Sequence, residues 1–267
     1  KNDTIEDSIG APPGTQVAWH AFLTQTILSL EQGPRALVFR SAHSLASGTI
    51  SAHQRSMALS YTNRFIAMVA PWLITSEPAE PYRVDGAAYR CGRLKSGGSD
   101  FLFLTSDQTI GPMVLAGDGR AISVLLPPSP TKRTAWRLTD FSVTRVEIND
   151  TPGGGRLEIV SPDVAELLVV SSDATLGARL SQSVQRFSEL AASDRWQLSG
   201  EQMRQVRAAW ENAITSGATE ALMPIDLLTA SERTHREAET FYRSGDHETT
   251  LRLARRTDAW ATRARAS

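Results

Sequence analysis

Cys91 is the only cysteine in a chain of 267 residues, so no internal disulfide framework can form and no zinc site built from several thiolates can be assembled. Lysine is almost missing too: Lys1, Lys95 and Lys132 are the only ones, and arginine supplies the rest of the 28 basic residues. The arginine bias reads as genome composition rather than function. Because 29 acidic residues bring the formal charge to −1, no broad positive field exists to attract nucleic acid or anionic lipid. Long apolar runs are also absent. The strongest, residues 65–74, is interrupted by Pro71 and reaches about half of the ~20 residues a membrane-spanning helix requires, so no membrane span is expected. No charged-then-apolar leader stands at the start, and the first residue is Lys1, which suggests a cut or processed N-terminus.

Several catalytic signatures are missing. The glycine-rich stretches lead into β-prone sequence with no lysine behind them, which argues against a phosphate-binding loop. The string Gly-x-Ser-x-Gly does not occur, so the nucleophile elbow of acyl-transfer enzymes lacks its signature. His20, His43, His53, His235 and His247 are dispersed, with no paired spacing on one helix face, so no metal and no cofactor is expected. Cys91, between Arg90 and Arg93, reads as a small buried hydrophobe rather than a reactive thiolate. Glu31, Glu77 and Glu80 fall at a helix end and in a proline-rich connector, positions that assign them no catalytic role.

What is present is a chain able to fold, with 41% apolar and 21% charged residues. Residues 1–14 are polar and end in Ala11-Pro12-Pro13-Gly14, a tail or linker. Apolar residues at helical spacing predict a helix over about 15–32 stopped by Gly33-Pro34, and another over 51–72 halted near Pro71; between them 35–40 reads as a short buried strand. From 82 to 171 short β-prone runs alternate with Gly, Pro, Asp and Ser clusters, at the spacing of an antiparallel sandwich or barrel. Its strands are expected near 82–90, 100–105, 112–116, 120–126, 134–138, 141–149, 155–160 and 166–172, with Asp118-Gly119 and Gly153-Gly154-Gly155 as hairpin turns. After Asp173, a plausible N-cap, the pattern turns helical, and breaks near Ser199-Gly200, Ser216-Gly217 and Ser244-Gly245-Asp246 divide it into about four helices. The fold class is α+β: a tail at 1–14, a helix-strand-helix element at 15–80, a β-sandwich at 81–172 and a helical region at 173–267.

One segment is more specific than the rest: Trp19-His20-Ala21-Phe22, then Leu28, then Gly33-Pro34-Arg35-Ala36-Leu37-Val38-Phe39-Arg40-Ser41. It resembles the last helix-then-strand step of (β/α)8 glycoside hydrolases, where a tryptophan-led helix enters the final barrel strand. In that reading 51–72 is similar to the closing barrel helix, and the β-rich block to the sandwich domain that often follows such barrels. The resemblance covers residues 19–73. It departs from the family pattern in lacking the rest of the barrel and in having Ser41 and His43, not an acid, after the strand.

The resemblance implies that Arg40, Ser41 and His43 lie at the strand's C-terminal end, where barrel enzymes place their sites. It implies a carbohydrate ligand, an upstream domain of the same protein as partner, and a compartment outside the cytoplasm. The leading expectation is a non-catalytic C-terminal portion of a larger carbohydrate-processing protein. Two alternatives stand beside it. In one, the sandwich binds carbohydrate by stacking a sugar on Trp136 with Tyr82 or Tyr89; in the other, the C-terminal helices, carrying Trp210 and Trp260, form a protein-binding groove.

Overall fold

The computed structural model describes residues 19–33, 36–39, 45, 50–86, 89–106, 121–139, 141–160, 162, 165–216 and 225–266. Two helices, α1 (Trp19–Leu30) and α2 (Ile50–Leu73), come first. The strands β1 (Glu77–Pro78), β2 (Arg83–Asp85), β3 (Tyr89–Ser96), β4 (Ser99–Ser106), β5 (Ala121–Leu126) and β6 (Thr134–Thr139) follow, then β7 (Ser142–Val146), β8 (Ile148–Thr151), β9 (Gly154–Val160) and β10 (Ala165–Ser171). Helices α3 (Leu176–Thr215), α4 (Ile225–Arg243) and α5 (His247–Ala266) come last, giving the expected α+β class. No helix among the described residues is long and apolar enough to cross a membrane.

The strands form two antiparallel sheets, one ordered β1-β3-β4-β10-β6-β7 and the other β2-β5-β9-β8. The larger sheet is the middle of three layers. Leu102 and Leu104 of β4 and Leu168 and Val170 of β10 meet Ile122, Val124, Leu157 and Ile159 of the smaller sheet. On the other face Phe101, Phe103, Leu167 and Val169 pack with Ile27 of α1, Tyr61, Phe65 and Met68 of α2 and Leu180 of α3. Burial on both faces explains why β4 and β10 read as continuous apolar runs, whereas β9, with one face in water, alternates. Gly33, at φ +68°, ends α1 by donating its N–H to the Leu30 carbonyl at 3.0 Å.

Four sequence expectations need correction. The run 82–90 is two strands in different sheets, Arg83–Asp85 beside β5 and Tyr89–Ser96 beside β4, with Gly86 at φ +123° between them. Likewise 141–149 splits at Glu147: Ser142–Val146 pairs with β6 and Ile148–Thr151 with β9, so one run of chain crosses from sheet to sheet. A period-2 pattern persists through such a corner, and for that reason both runs read as single strands. Residues 36–39 form no strand, and Val38 is 90% exposed; four apolar residues make a strand only where a neighbour offers a ladder. Finally, α3 runs unbroken through Ser199-Gly200, because Gly200 serves close packing: a Cβ there would sit 2.8 Å from His235 Cε1. The expected strand at 112–116 and the Asp118-Gly119 turn lie outside the described residues.

The Gly153-Gly154-Gly155 hairpin is present, with Thr151 opposite Gly154. Gly154 takes φ +131°, and a Cβ there would lie 2.1 Å from the Leu126 carbonyl oxygen, while at Gly153 a Cβ would meet nothing within 4 Å. Gly154→Ala is therefore expected to lower unfolding free energy by at least ~1–3 kcal/mol in urea titrations, and Gly153→Ala to change it by less than about 0.5 kcal/mol. The helical layers are tied by an ion pair between Arg195 of α3, 1% exposed, and Asp258 of α5, 2% exposed. Asp258→Ala would remove the carboxylate that faces the buried guanidinium and is expected to cost about 3–5 kcal/mol by the same measurement.

Candidate functional site

The residues singled out by sequence do not converge. Arg40, Ser41 and His43 lie outside the described residues. Trp136, on β6 opposite Val169, is 8% exposed and belongs to the helix-facing core. Its indole leaves no room for a side chain at position 177, where a Cβ would approach Nε1 to 2.6 Å. An indole so enclosed cannot offer a face to a sugar, which corrects the expectation of a Trp136 stacking platform. Tyr82 has Arg93 over its ring at 4.2 Å from the centroid and donates its hydroxyl to Asp100 Oδ2 at 2.7 Å. Burial, then the bond to Asp100, pushes its phenol up to about 12. Tyr89 is half-buried and donates to the Pro162 carbonyl at 3.3 Å. Trp210 packs on Val206, Leu228 and Ala261, and Arg263 lies over the Trp260 ring at 5.4 Å.

Potential nucleophiles and acids are tied into the fold. Cys91 is buried, and desolvation pushes its thiol up to about 11, so it is no thiolate at neutral pH. Among buried or half-buried acids, Glu31 accepts from Arg90 at 3.0 Å, Asp100 from Arg93 at 2.8 Å, and Asp194, Glu166 and Asp258 pair with Arg64, Arg137 and Arg195. Each of these five carboxylates faces a guanidinium, which offsets part of the cost of its desolvation. Among the described residues no three His, Cys, Asp or Glu side chains gather where they could hold a metal ion.

A second cluster joins α3 and α4. The Trp196 indole stacks on the His235 imidazole at 5.5 Å and 11°, and on the Tyr242 ring at 5.7 Å and 15°. Burial lowers the His235 pKa from its usual 6.5, Arg204 adds to the shift, and Glu239 opposes it. The neutral ring is a packing element. Ser199 beside it is wholly buried and spends its hydroxyl on the Trp196 carbonyl at 2.8 Å.

Among the described residues a concavity lies where β6, β7 and the end of β9 approach α5. This cleft of about 450 Å³ is lined by Arg137, Thr139, Thr144 and Val160 from the strands and by Arg252, Arg255, Arg256 and Ala259 from α5. Arg137 pairs in register with Leu168 and Thr144, which sets it on the face toward the smaller sheet; it donates to the Val160 carbonyl at 3.1 Å and pairs with Glu166. On α5 the spacing i, i+3, i+4, i+7 puts the three arginines and Ala259 on one face. Asp258, turned inward to Arg195, leaves that face to the cations. Among the described residues the lining contains no acid. The sequence does display the signal, five arginines against one aspartate over 252–265, but only the fold separates the aspartate from them.

His235 gives a signed pH dependence. Its folded pKa lies below 6.5, so its contribution is complete above that value and is lost as pH falls toward the lowered folded value, where the unfolded chain takes the proton first. Melting temperatures from about pH 8 down to about pH 5 are expected to fall more steeply for the parent chain than for His235→Phe. Neither the models of known protein families nor the curated proteins match this chain.

Proposed function

We propose that the chain is the non-catalytic C-terminal portion of a larger carbohydrate-processing, glycoside-hydrolase-like protein. The observation that carries this reading is the state of residues 36–39. Leu37 packs against the helix-facing core and Phe39 against Phe22 of α1 at 4.9 Å between ring centroids, while Val38 between them is 90% exposed. Side chains two apart covered by helices and the intervening one bare is the pattern of a barrel strand whose outer face meets its helices and whose inner face awaits the other strands. The residues that carry the family resemblance are the same ones. The arginine-matched buried carboxylates are consistent with acids that hold the fold together rather than attack a glycosidic bond.

Two measurements test the reading. The chain alone, incubated with a panel of polysaccharides, is expected to release no reducing sugar; turnover abolished by one substitution within it would overturn the proposal. Val38→Asp is expected to shift the stability of this chain by less than about 0.5 kcal/mol, since the site is solvated. In a chain extended by the upstream reading frame the same change is expected to cost about 2 kcal/mol or more, by burying a charge; an equally small effect there removes the barrel-strand assignment.

A further inference from the structure

The two edges of the sandwich differ. On one side the outer strands are β1, two residues long and ending in Pro78, and β2, three residues long and preceded by Pro81. Short strands and prolines keep an edge from taking up another chain, and Arg83 and Asp85 of β2 spend their charges on each other at 2.8 Å. On the other side the outer strands are β7 and β8, five and four residues long, consecutive in the chain and joined through Glu147. The run 142–151 contains no proline, and among the described residues β7 pairs only with β6 and β8 only with β9. One continuous edge spanning both sheets therefore has no strand neighbour among the described residues.

That edge carries opposite charges that the fold leaves unused. Arg145 and Glu147 are both exposed, flank Val146, and among the described residues neither has an ion-pair partner. We propose that this edge is an interface with a second copy of the chain, formed by antiparallel pairing of residues 142–150 with themselves about a twofold axis at Val146. In that register Arg145 of each copy stands opposite Glu147 of the other, Thr144 opposite Ile148 and Ser142 opposite Asp150, and no two like charges face. An axis between Glu147 and Ile148 would set Arg145 opposite Asp150 but leave each Glu147 facing Ile148, a charge against an apolar side chain. Because β7 and β8 belong to different sheets, β7 of one copy is extended by β8 of the other, so the larger sheet of each continues into the smaller sheet of its mate. Main-chain hydrogen bonds supply the affinity and the two charge pairs fix the register. The interface uses no residue of 36–39 and is independent of the accessory-portion reading.

Sedimentation equilibrium of the full chain from ~1 to ~200 μM is expected to give a monomer–dimer equilibrium with Kd on the order of 10 μM, the strength of a small, transient interface. Arg145→Glu and Glu147→Arg each place like charges opposite one another twice per dimer, and each is expected to weaken dimerisation about tenfold or more. The combined variant Arg145→Glu/Glu147→Arg restores opposite charges and is expected to return Kd to within about threefold of the parent. Arg83→Glu, on the other edge, is expected to leave the dimer intact. Hydrogen exchange of the parent chain gives a readout that needs no variant: amides within 142–149 are expected to slow at ~200 μM relative to ~1 μM, and those of β1 and β2 are not. A chain that stays monomeric throughout, a dimer indifferent to either single reversal, or a combined variant as weak as the single ones would overturn the proposal. So would exchange that slows equally on both edges, or not at all within 142–149. Rescue of Arg145→Glu by Asp150→Arg in place of Glu147→Arg would overturn the register.

Discussion

The structure depends on a sheet that is apolar on both faces. Phe101, Phe103, Leu167 and Val169 on one side and Leu102, Leu104, Leu168 and Val170 on the other are essentially without solvent contact. Each fully buried side chain of this kind is worth about 1.5–3 kcal/mol, so neither face of β4 and β10 can be left wet. A second sheet covers one face and the helices α1, α2 and α3 cover the other. The position of Trp136 follows: odd-numbered neighbours and even-numbered ones go to opposite layers, and residue 136, in register with Val169, goes to the helices.

Within the helical layer, charge is sorted by the Arg195–Asp258 pair. Two ions taken from water are tolerated only in contact, and that contact fixes the rotation of α5 about its axis relative to α3. Rotation is what matters for the surface. With residue 258 turned inward, positions 252, 255, 256 and 259 present a common face toward β6 and the end of β9. The Gly200 approach to His235 and the indole between His235 and Tyr242 set the distance between α3 and α4 in the same layer.

Strand and helix content was legible in the sequence because periodicity reports burial, and burial is nearly all that β4, β9, β10 and α2 respond to. Periodicity carries no information about which sheet a strand joins, so the changes of sheet at Gly86 and Glu147 were invisible. A Ser-Gly pair at 199–200 has the signature of a helix break, yet Gly200 makes room for an imidazole from another helix. Trp136 looked like a ligand platform because an aromatic in a strand has the same signature whether it faces water or helices. Arg252, Arg255 and Arg256 do not stand out in a chain whose basic residues are nearly all arginine; that they share a face from which Asp258 is turned away is a tertiary fact.

Two features remain that packing does not explain, and they differ in kind. A bare valine between two covered neighbours exposes apolar surface without making a contact, a modest cost that a sheet neighbour would remove. Three like charges on one helix face repel one another, at a few tenths of a kcal/mol for each neighbouring pair. The two sit on different elements, residues 36–39 against α1 and the α5 face beside β6. A change that covers Val38 therefore leaves the charge of the α5 face as it is, and a change of charge on that face leaves Val38 bare.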